Sequence, residues 1–452
     1  MNESKTIILA AGQGTRMRSQ KSKVLHQVCE KNILDYVVDA SKGSGIDAIA
    51  VIIGHQAEEV KKSLCPGIAA ILQKEQLGTG HAVLQALPFF KELKGNLIVL
   101  VGDAPLIRPE TIKGLVTEHE ARGHGATVLS AEFQDPTGYG RMVKNHKGEL
   151  LKIVEEGDAT IEEKKIREIN SGMYCFDAQT LIRALKELNT NNTQGEYYLT
   201  DVIEIMGQLG KTTGTYVTPD HEDIKAINSK VQLSEVTAIM RKRINTKLME
   251  NGVVIIDPAA TYISNEVIVG QDSTIYPGVI LEGKTVIGND CLIGANSRLV
   301  NAIIGNQVTI QNSTILDSSV DDNTSVGPYA YIRPGSRIGK HCKVGDFVEV
   351  KNSTMADGAK AAHLTYIGDG DVGENVNLGC GTVFVNYDGK KKYRTVVEKN
   401  AFIGCNTNLI APVTVKEGSY IAAGSTITDD VPEESLAIAR ARQVNKVGYL
   451  KK

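Results

Sequence analysis

At 452 residues the chain is too long for one ordinary hydrophobic core, so two or three domains are expected. Hydrophobic residues make up 42% of the chain and charged residues 23%, a balance typical of globular proteins in water. The formal net charge of -3 gives no support to a polyanionic partner such as nucleic acid.

Cysteine usage and the amino-terminal segment indicate where the protein works. The seven cysteines are odd in number and form no CxxC pair, so neither a disulfide framework nor a zinc site is expected. The apolar run near the amino terminus is too short for a signal peptide, and no stretch reaches transmembrane length. These features predict a cytoplasmic location.

The first half of the chain alternates short apolar runs with helical patterns. Residues 6–11, 48–53, 96–101 and 126–131 are typical of buried parallel strands, and residues 33–42 and 80–87 have helical spacing. This alternation predicts a doubly wound, Rossmann-like α/β domain over residues 1–222.

Residues 223–250 have a different pattern, with apolar residues every three or four positions among many charges. The apolar positions are Val236, Ile239, Met240, Ile244 and Leu248. They predict an amphipathic helix that Asn251-Gly252 ends, and we expect residues 223–251 to link the two domains.

The second half is an internal repeat of six residues. Aliphatic residues recur at that spacing from Val269 through Ile275, Leu281 and Ile287, and the period continues in several runs to Ile427. A period of six fits short strands that turn a corner once per repeat, so a parallel β-helix of about ten coils is expected over residues 252–452. The repeat is interrupted at residues 353–366 and 386–402, where functional sites are expected.

A glycine-rich segment follows the first predicted strand. Residues 9–17 read Leu-Ala-Ala-Gly-Gln-Gly-Thr-Arg-Met, and glycines at 12 and 14 would let backbone N–H groups approach a phosphate, with Arg16 and Lys23 as cations nearby. An ordinary tight turn and a solvated lysine are the alternatives.

Asp103 follows the apolar run 96–101, at the edge of the sheet where ligands bind in open α/β folds. A carboxylate there suits Mg²⁺ bound together with nucleotide phosphates. A turn or helix-capping aspartate is the alternative.

His363 lies in the first interruption of the repeat. Histidine, with an ordinary pKa of about 6.5, suits the role of a general base near neutral pH. A packed or solvated loop histidine is the alternative, just as any single Arg or Lys on a solenoid is usually solvated.

Together these motifs carry a family resemblance. The first-half segments resemble sugar-phosphate nucleotidyltransferases, at residues 9–17, Lys23, Gln73, Gly78-Thr79, Gly102-Asp103, 138–141, Glu155, Asn170 and Asn228. With the hexapeptide half attached, the chain from about residue 5 to about residue 448 resembles the bacterial bifunctional N-acetylglucosamine-1-phosphate uridyltransferase/glucosamine-1-phosphate acetyltransferase family.

The resemblance implies acetyl transfer from acetyl-CoA to glucosamine 1-phosphate, then uridylyl transfer from UTP with release of pyrophosphate. The product, UDP-N-acetylglucosamine, supplies peptidoglycan and lipopolysaccharide precursors. The resemblance also implies left-handed coils and a homotrimer that acts on small molecules, with no nucleic-acid partner and no membrane insertion.

The resemblance also implies roles in the first half. Arg16 and Lys23 neutralise the phosphates of UTP and are expected to be catalytic, and Asp103 and Asn228 bind Mg²⁺. Contacts to UTP or UDP-N-acetylglucosamine are implied for Leu9, Ala10, Ala11, Gly12, Lys23, Gln73, Gly78, Thr79, Asp103, Gly140, Glu155, Asn170 and Asn228.

In the second half, His363 is implied as the general base of acetyl transfer. Glucosamine 1-phosphate would bind Arg333, Lys351, Tyr366 and Asn377, while Asn386 and Tyr387 orient the amino sugar near the thioester. The residues implied at the acetyl-CoA site are Cys380, Asn386, Tyr387, Cys405, Ala423 and Arg440. Cys380 and Cys405 stand where small residues occur in the family, which would make this site sensitive to thiol reagents if either thiol is exposed.

Two other functions are alternatives to the bifunctional enzyme. One is a monofunctional sugar-nucleotide pyrophosphorylase whose β-helix only oligomerises or regulates, and the other is a non-enzymatic assembly protein. A scaffold has no need of the set around His363, and an assembly protein has no need of the glycine-rich loop with Asp103 and Asn228.

Overall fold

The computed structural model describes residues 3–90 and 94–450. The chain forms two compact units, Met1–Met240 and Arg241–Lys452. Among the described residues, no helix combines the length and the apolar character needed to span a membrane.

The first unit is built on a mixed sheet of nine strands within the described residues. The strands are β1 (Ser4–Ala10), β2 (Ile49–Ile53), β3 (Ala69–Leu72), β4 (Asn96–Val101), β5 (Ala126–Glu132), β6 (Arg141–Lys144), β7 (Leu150–Val154), β8 (Glu168–Asp177) and β9 (Thr213–Val217). The order along the sheet is β9-β5-β8-β4-β1-β2-β3, with β6 paired to β8 and β7.

Helices cover this sheet and fill the connections between its strands. They are α1 (Ile33–Gly43), α2 (Ala57–Ser63), α3 (Thr79–Ala86), α4 (Pro109–Arg122), α5 (Ala178–Ala184) and α6 (Asp201–Gln208). Two apolar clusters pack against the sheet, one around Ile7, Val99 and Phe176 and the other around Ile8, Leu100 and Leu115. Layers of this kind are those of an α/β domain, as the alternating pattern predicts.

The sheet differs from a purely parallel one at β8. This strand lies between β4 and β5 and runs antiparallel to both. It follows the β6–β7 hairpin rather than a helical crossover, and antiparallel neighbours need no crossover. The four strands predicted to be parallel, β1, β2, β4 and β5, all run in the same direction, and β8 is an antiparallel strand that the prediction did not include.

The long helix α7 (Lys230–Glu250) begins later than the helical pattern indicates. The preceding residues form a short 3-10 turn (His221–Ile224), and the fully buried Asp223 carboxylate accepts hydrogen bonds from Arg108 and Thr111. Those contacts hold Asp223 outside the helix. Ile244 and Leu248 of α7 pack against the apolar core of the second unit.

The second unit is a left-handed parallel β-helix of hexapeptide repeats with three faces. Face A contains Val254–Ile255, Thr274–Ile275, Leu292–Ile293, Thr309–Ile310, Ser325–Val326, Lys343–Asp346, Lys360–His363, Asn377–Leu378, Phe402–Ile403, Tyr420–Ile421 and Leu436–Ala437. Face B contains Tyr262–Ile263, Ile280–Glu282, Arg298–Val300, Thr314–Leu316, Tyr331–Ile332, Glu349–Lys351, Tyr366–Gly368, Val383–Val385, Asn408–Ile410 and Thr426–Ile427. Face C contains Ile268–Val269, Val286–Ile287, Ile303–Ile304, Ser319–Val320, Arg337–Ile338, Thr354–Met355, Gly370–Val372, Thr395–Val397 and Val413–Val415.

The predicted interior of the solenoid is confirmed at almost all of its positions. The six-residue aliphatic positions are buried, and so are the small residues four positions later, such as Ser273 and Thr285. The exception is Leu316, six residues after Ile310, which is half-buried because Ile315 takes the core position. Residues in the left-handed region, many of them Asn or Asp, make the corners, as at Asn296 and Asn352.

The first predicted interruption, at residues 353–366, is wrong. The coil continues through Thr354–Met355 and Lys360–His363 in register with its neighbours. The pattern is hidden there because Ala361, a small residue, takes a fully buried core position. The second interruption is a surface hairpin, and the regular coil returns at Thr395–Val397.

Candidate active sites

The glycine-rich loop and Asp103 lie side by side because their strands are neighbours. β1 and β4 pair in parallel with Leu9 opposite Val101, so both strands end at the same edge of the sheet. Gly102 N–H donates to the carbonyl of Leu9 at 2.9 Å, which joins the two loops. This edge is where open α/β sheets bind ligands.

A cavity of about 480 Å³ opens at this edge. Its wall contains the predicted residues Leu9, Ala10, Ala11, Gly12, Lys23, Gln73, Gly78, Thr79 and Asp103. The wall also contains residues outside that predicted set, namely Gln13, Val24, Gln76, Ala82, Val101 and Glu196. The volume and the mixed apolar and polar wall fit a small organic ligand.

Lys23 joins the two predicted metal ligands. Its ammonium forms a hydrogen-bonded ion pair with Asp103 and donates to Asn228 Oδ1 at 3.2 Å. Asn228 is brought here by a backbone hydrogen bond from Ile227 N–H to the carbonyl of Asp103, at 2.9 Å. One carboxylate and one amide oxygen thus converge on one cation, a donor set of the hard oxygens that Mg²⁺ prefers.

Gly14 is needed for Lys23 to reach this position. Its φ is +62°, in the left-handed region, and a Cβ at Gly14 would lie 2.8 Å from Lys23 Cβ. Any larger residue would therefore meet both backbone strain and a steric clash with the lysine.

A second cavity of about 230 Å³ adjoins the first, with Leu9, Thr79, Val101 and Glu196 in both walls. Glu155 and Asn170, two of the predicted binding residues, line it. Gly140 lies beside both of them, and its carbonyl accepts a hydrogen bond from Asn170 N–H at 2.9 Å.

The environment of the Glu155 carboxyl group disfavours its charged form. Burial, together with the nearby carboxylates of Asp158 and Asp201, raises the pKa of Glu155. A polar ligand that donates hydrogen bonds to this carboxylate would compensate for its burial.

Arg16 is a predicted site residue that the structure does not bring to the two cavities. Its side chain is exposed, and it is not among the described residues that line either cavity. Its role stays a prediction.

On the solenoid, five consecutive coils each place one residue at the corner where face A ends, and these five residues stack on one another. Asp346 pairs with His363 in register, and the pairing of the coils that follow adds Cys380, Cys405 and Ala423. We call this set the His363 column. It brings the predicted base and three of the predicted acetyl-CoA contacts into one line.

Asp346 holds the imidazole of His363. The distance from His363 Nδ1 to Asp346 Oδ1 is 2.6 Å, and this hydrogen bond lowers the pKa of the Asp346 carboxyl. If Nδ1 donates to the carboxylate, Nε2 keeps a free lone pair, which is the tautomer that a general base requires. About half of the histidine side chain is exposed, so a substrate can reach it.

A buried carboxylate, Asp369, organises the next corner. It accepts hydrogen bonds from Lys351 Nζ at 2.9 Å, from Asn352 Nδ2 at 2.7 Å, and from Asn386 Nδ2. Burial alone would raise the pKa of Asp369, but these donors lower it overall. Two of the predicted site residues, Lys351 and Asn386, therefore share one anchor.

Arg333 and Tyr366 lie near Lys351 on face B. Arg333 forms an ion pair with Glu349 at 2.8 Å, and Glu349 is in register with Tyr366 on the next coil. Arg333 and Lys351 thus present two cations on one face, as phosphate binding needs.

The hairpin after Asn386 carries Tyr387, whose hydroxyl donates to the carbonyl of Gly389 at 2.7 Å. Arg394 ties the base of the hairpin to the carboxylate of Asp371. At the other end of the column, Arg440 lies against Gly424, the residue after Ala423. Asn377 is on face A, three residues before Cys380.

Comparisons with known proteins match both units. Residues 5–238 match the nucleotidyl transferase family model, and residues 266–301, 317–352 and 394–429 match the bacterial transferase hexapeptide model. Both families agree with the folds described above.

Whole-chain relatives extend the match. Proteins named "Bifunctional protein GlmU" are 56% identical over 448 residues in Alkaliphilus oremlandii (strain OhILAs), 54% over 448 residues in Clostridioides difficile (strain 630) and 53% over 446 residues in Alkaliphilus metalliredigens (strain QYMF). Each alignment covers 99% of this chain and 97–98% of the relative. The chain therefore belongs to the family of bifunctional GlmU proteins.

Proposed function

We propose that the two units catalyse consecutive steps of UDP-N-acetylglucosamine synthesis. The solenoid acetylates glucosamine 1-phosphate with acetyl-CoA, and the α/β unit joins the product to the uridylyl group of UTP. The product supplies precursors of peptidoglycan and lipopolysaccharide in the cytoplasm. The observation that carries the proposal is the convergence of Lys23, Asp103 and Asn228 at a cavity on the sheet edge, in a chain that also has the His363 column.

In the first step the chain holds the amino sugar and removes a proton. Arg333 and Lys351 bind the 1-phosphate, and Tyr366, Asn377, Asn386 and Tyr387 orient the sugar. The amine attacks the thioester carbonyl while His363 Nε2 takes its proton, and the thiolate of CoA leaves. Asp346 keeps the imidazole in the required tautomer.

In the second step the chain positions two anions for in-line attack. The phosphate oxygen of N-acetylglucosamine 1-phosphate attacks the α-phosphorus of UTP, and pyrophosphate leaves. Asp103 and Asn228 would hold Mg²⁺, which neutralises phosphate charge when bound. Lys23 and Arg16 add positive charge at the triphosphate, and Gly140, Glu155 and Asn170 bind the sugar.

Ligand stabilisation tests nucleotide binding directly. UTP with Mg²⁺ should raise the melting temperature by a few °C, since a ligand that binds only the folded state stabilises it. UTP alone should have a smaller effect. Equal shifts with and without Mg²⁺ would contradict the assignment of Asp103 and Asn228 as metal ligands.

Gly14→Ala tests how Lys23 is positioned. The substitution costs about 1 kcal/mol from the left-handed backbone alone, and the clash with Lys23 Cβ should lower uridylyl transfer at least about tenfold. Gly123→Ala is the matched control, because φ is also +62° there but the space around it is open. Equal uridylyl transfer in the two variants would contradict this role of Gly14.

Glu155→Gln tests the sugar site through both binding and stability. The KM for N-acetylglucosamine 1-phosphate should rise by about tenfold, because a charged hydrogen-bond acceptor is lost.

The same substitution should change how stability depends on pH. Because burial raises the pKa of Glu155 in the folded state, its negative charge lowers the stability of the protein at pH 8, and that cost disappears as the pH falls below about 4. The variant should therefore be more stable than the parent at pH 8, and the difference should shrink on acidification. Glu162→Gln, on an exposed side chain, should change neither quantity.

We also propose a homotrimer, in line with the hexapeptide family. Tyr329, Phe347 and Leu364 stack along one solenoid corner and are 56–58% exposed. An apolar ridge of this kind is typical of a surface that a second copy covers. Light scattering should give three chain masses, and Phe347→Asp should lower that mass; a monomeric parent protein would contradict the proposal.

A further inference from the structure

Cys380 and Cys405 are direct neighbours across two coils. Asn377 pairs with Phe402 before them, and Val383 pairs with Asn408 after them. The two pairs have the same separation in sequence, and that separation places Cys380 opposite Cys405. Asn406 N–H donates to the carbonyl of Cys380 at 2.7 Å, which holds the two backbones together at this point.

This spacing suits a covalent bond. Neighbouring parallel strands lie about 4.8 Å apart, inside the Cα separation of about 4.4–6.8 Å that disulfides require. Asp346 and His363 occupy the preceding two positions of the same column, and their side chains reach one another at 2.6 Å. The side chains of Asp346 and His363 therefore meet across the coils, and Cys380 and Cys405 take the next two positions of the same column.

The two thiols are also available for reaction. Cys380 and Cys405 are free, and they are half-buried and exposed respectively. Cys175, Cys291 and Cys342 are buried, so reagents in solution reach the column thiols before those three.

We propose that Cys380 and Cys405 form a reversible disulfide that blocks acetyl transfer. A low-molecular-weight disulfide is the oxidant. The thiolate of Cys405 attacks one of its sulfurs and releases one thiol, and the thiolate of Cys380 then displaces the second. Two cysteine thiols lose two protons and two electrons, and the oxidant is reduced to two thiols.

The effect is specific to one reaction. This inference rests on the proposed function, in which the His363 column holds acetyl-CoA. A bridge replaces two separate side chains next to the base with one rigid group, so the thioester no longer reaches its position. Uridylyl transfer stays unchanged, because its residues belong to the other unit.

The test uses the full chain, reduced and then incubated with oxidised glutathione. Peptide mapping without reduction should find a crosslink between Cys380 and Cys405. Acetyl transfer should fall at least tenfold and return with dithiothreitol, while uridylyl transfer is constant. Glutathione adducts without the crosslink, or a crosslinked enzyme with full acetyl transfer, would overturn the proposal.

Variants separate the two thiols from the others. Each is compared with its own reduced rate. The double variant Cys380→Ala/Cys405→Ser should lose sensitivity to the oxidant, whereas Cys65→Ser, which removes another exposed thiol, should keep it. If the reduced parent enzyme showed no acetyl transfer, that result would contradict the proposed function and not the disulfide. The peptide map would still show whether the disulfide between Cys380 and Cys405 forms.

Discussion

Asp103→Ala should abolish uridylyl transfer, with a loss of at least about a hundredfold, and leave acetyl transfer unchanged. Lys23 contacts two side chains, Asp103 and Asn228, and only Asp103 is charged. Its loss removes both the ion-pair partner of the lysine and a proposed ligand of the metal. The two reactions should be measured separately, with N-acetylglucosamine 1-phosphate and UTP for one and glucosamine 1-phosphate and acetyl-CoA for the other.

A matched control distinguishes chemistry from folding. Asp47 is exposed and precedes the amino end of β2, and Asp47→Ala should keep both activities. If Asp103→Ala were folded and still transferred uridylyl groups at a rate near that of the parent, the assignment of this site would be wrong.

His363→Ala should have the opposite effect. Acetyl transfer should fall by about 10²–10⁴-fold, the usual contribution of a general base, and uridylyl transfer should persist. His341→Asn is the control on the same solenoid, since φ there is +55° and asparagine tolerates that conformation.

Asp346→Asn separates positioning from proton transfer. The amide can still hydrogen-bond to the imidazole but no longer favours the tautomer with Nδ1–H, so acetyl transfer should fall by less than in His363→Ala. A wild-type rate in Asp346→Asn would remove the aspartate from the mechanism. Loss of both activities in folded His363→Ala would contradict two independent sites.

The solenoid was predictable because its interior repeats. Each coil contributes aliphatic residues at fixed spacing, so the sequence pattern alone predicts the buried positions. The same regularity could have identified Asp346 as the partner of His363, one coil earlier, and Glu349 as the partner of Arg333. The error at residues 353–366 arose because Ala361 is small, although it occupies a core position.

The α/β site was predictable only in part, because folding brings distant segments together. The glycine-rich loop and Asp103 follow adjacent strands and could be placed at one edge from the strand pattern. Glu196 and Tyr198 line the cavities from a loop held by hydrogen bonds between Tyr197 and the segment around Leu77 and Gly80. No local pattern marks that contact. The antiparallel β8 was missed for the same reason, since strand direction depends on the connection rather than on composition.

The most direct test supplies glucosamine 1-phosphate, acetyl-CoA, UTP and Mg²⁺ to the purified protein and resolves the products by mass spectrometry, with parallel reactions that each omit one component. We expect UDP-N-acetylglucosamine whose formation depends on both acetyl-CoA and UTP. Nucleotide sugar that forms only from added N-acetylglucosamine 1-phosphate would contradict this expectation and reduce the β-helix to a scaffold.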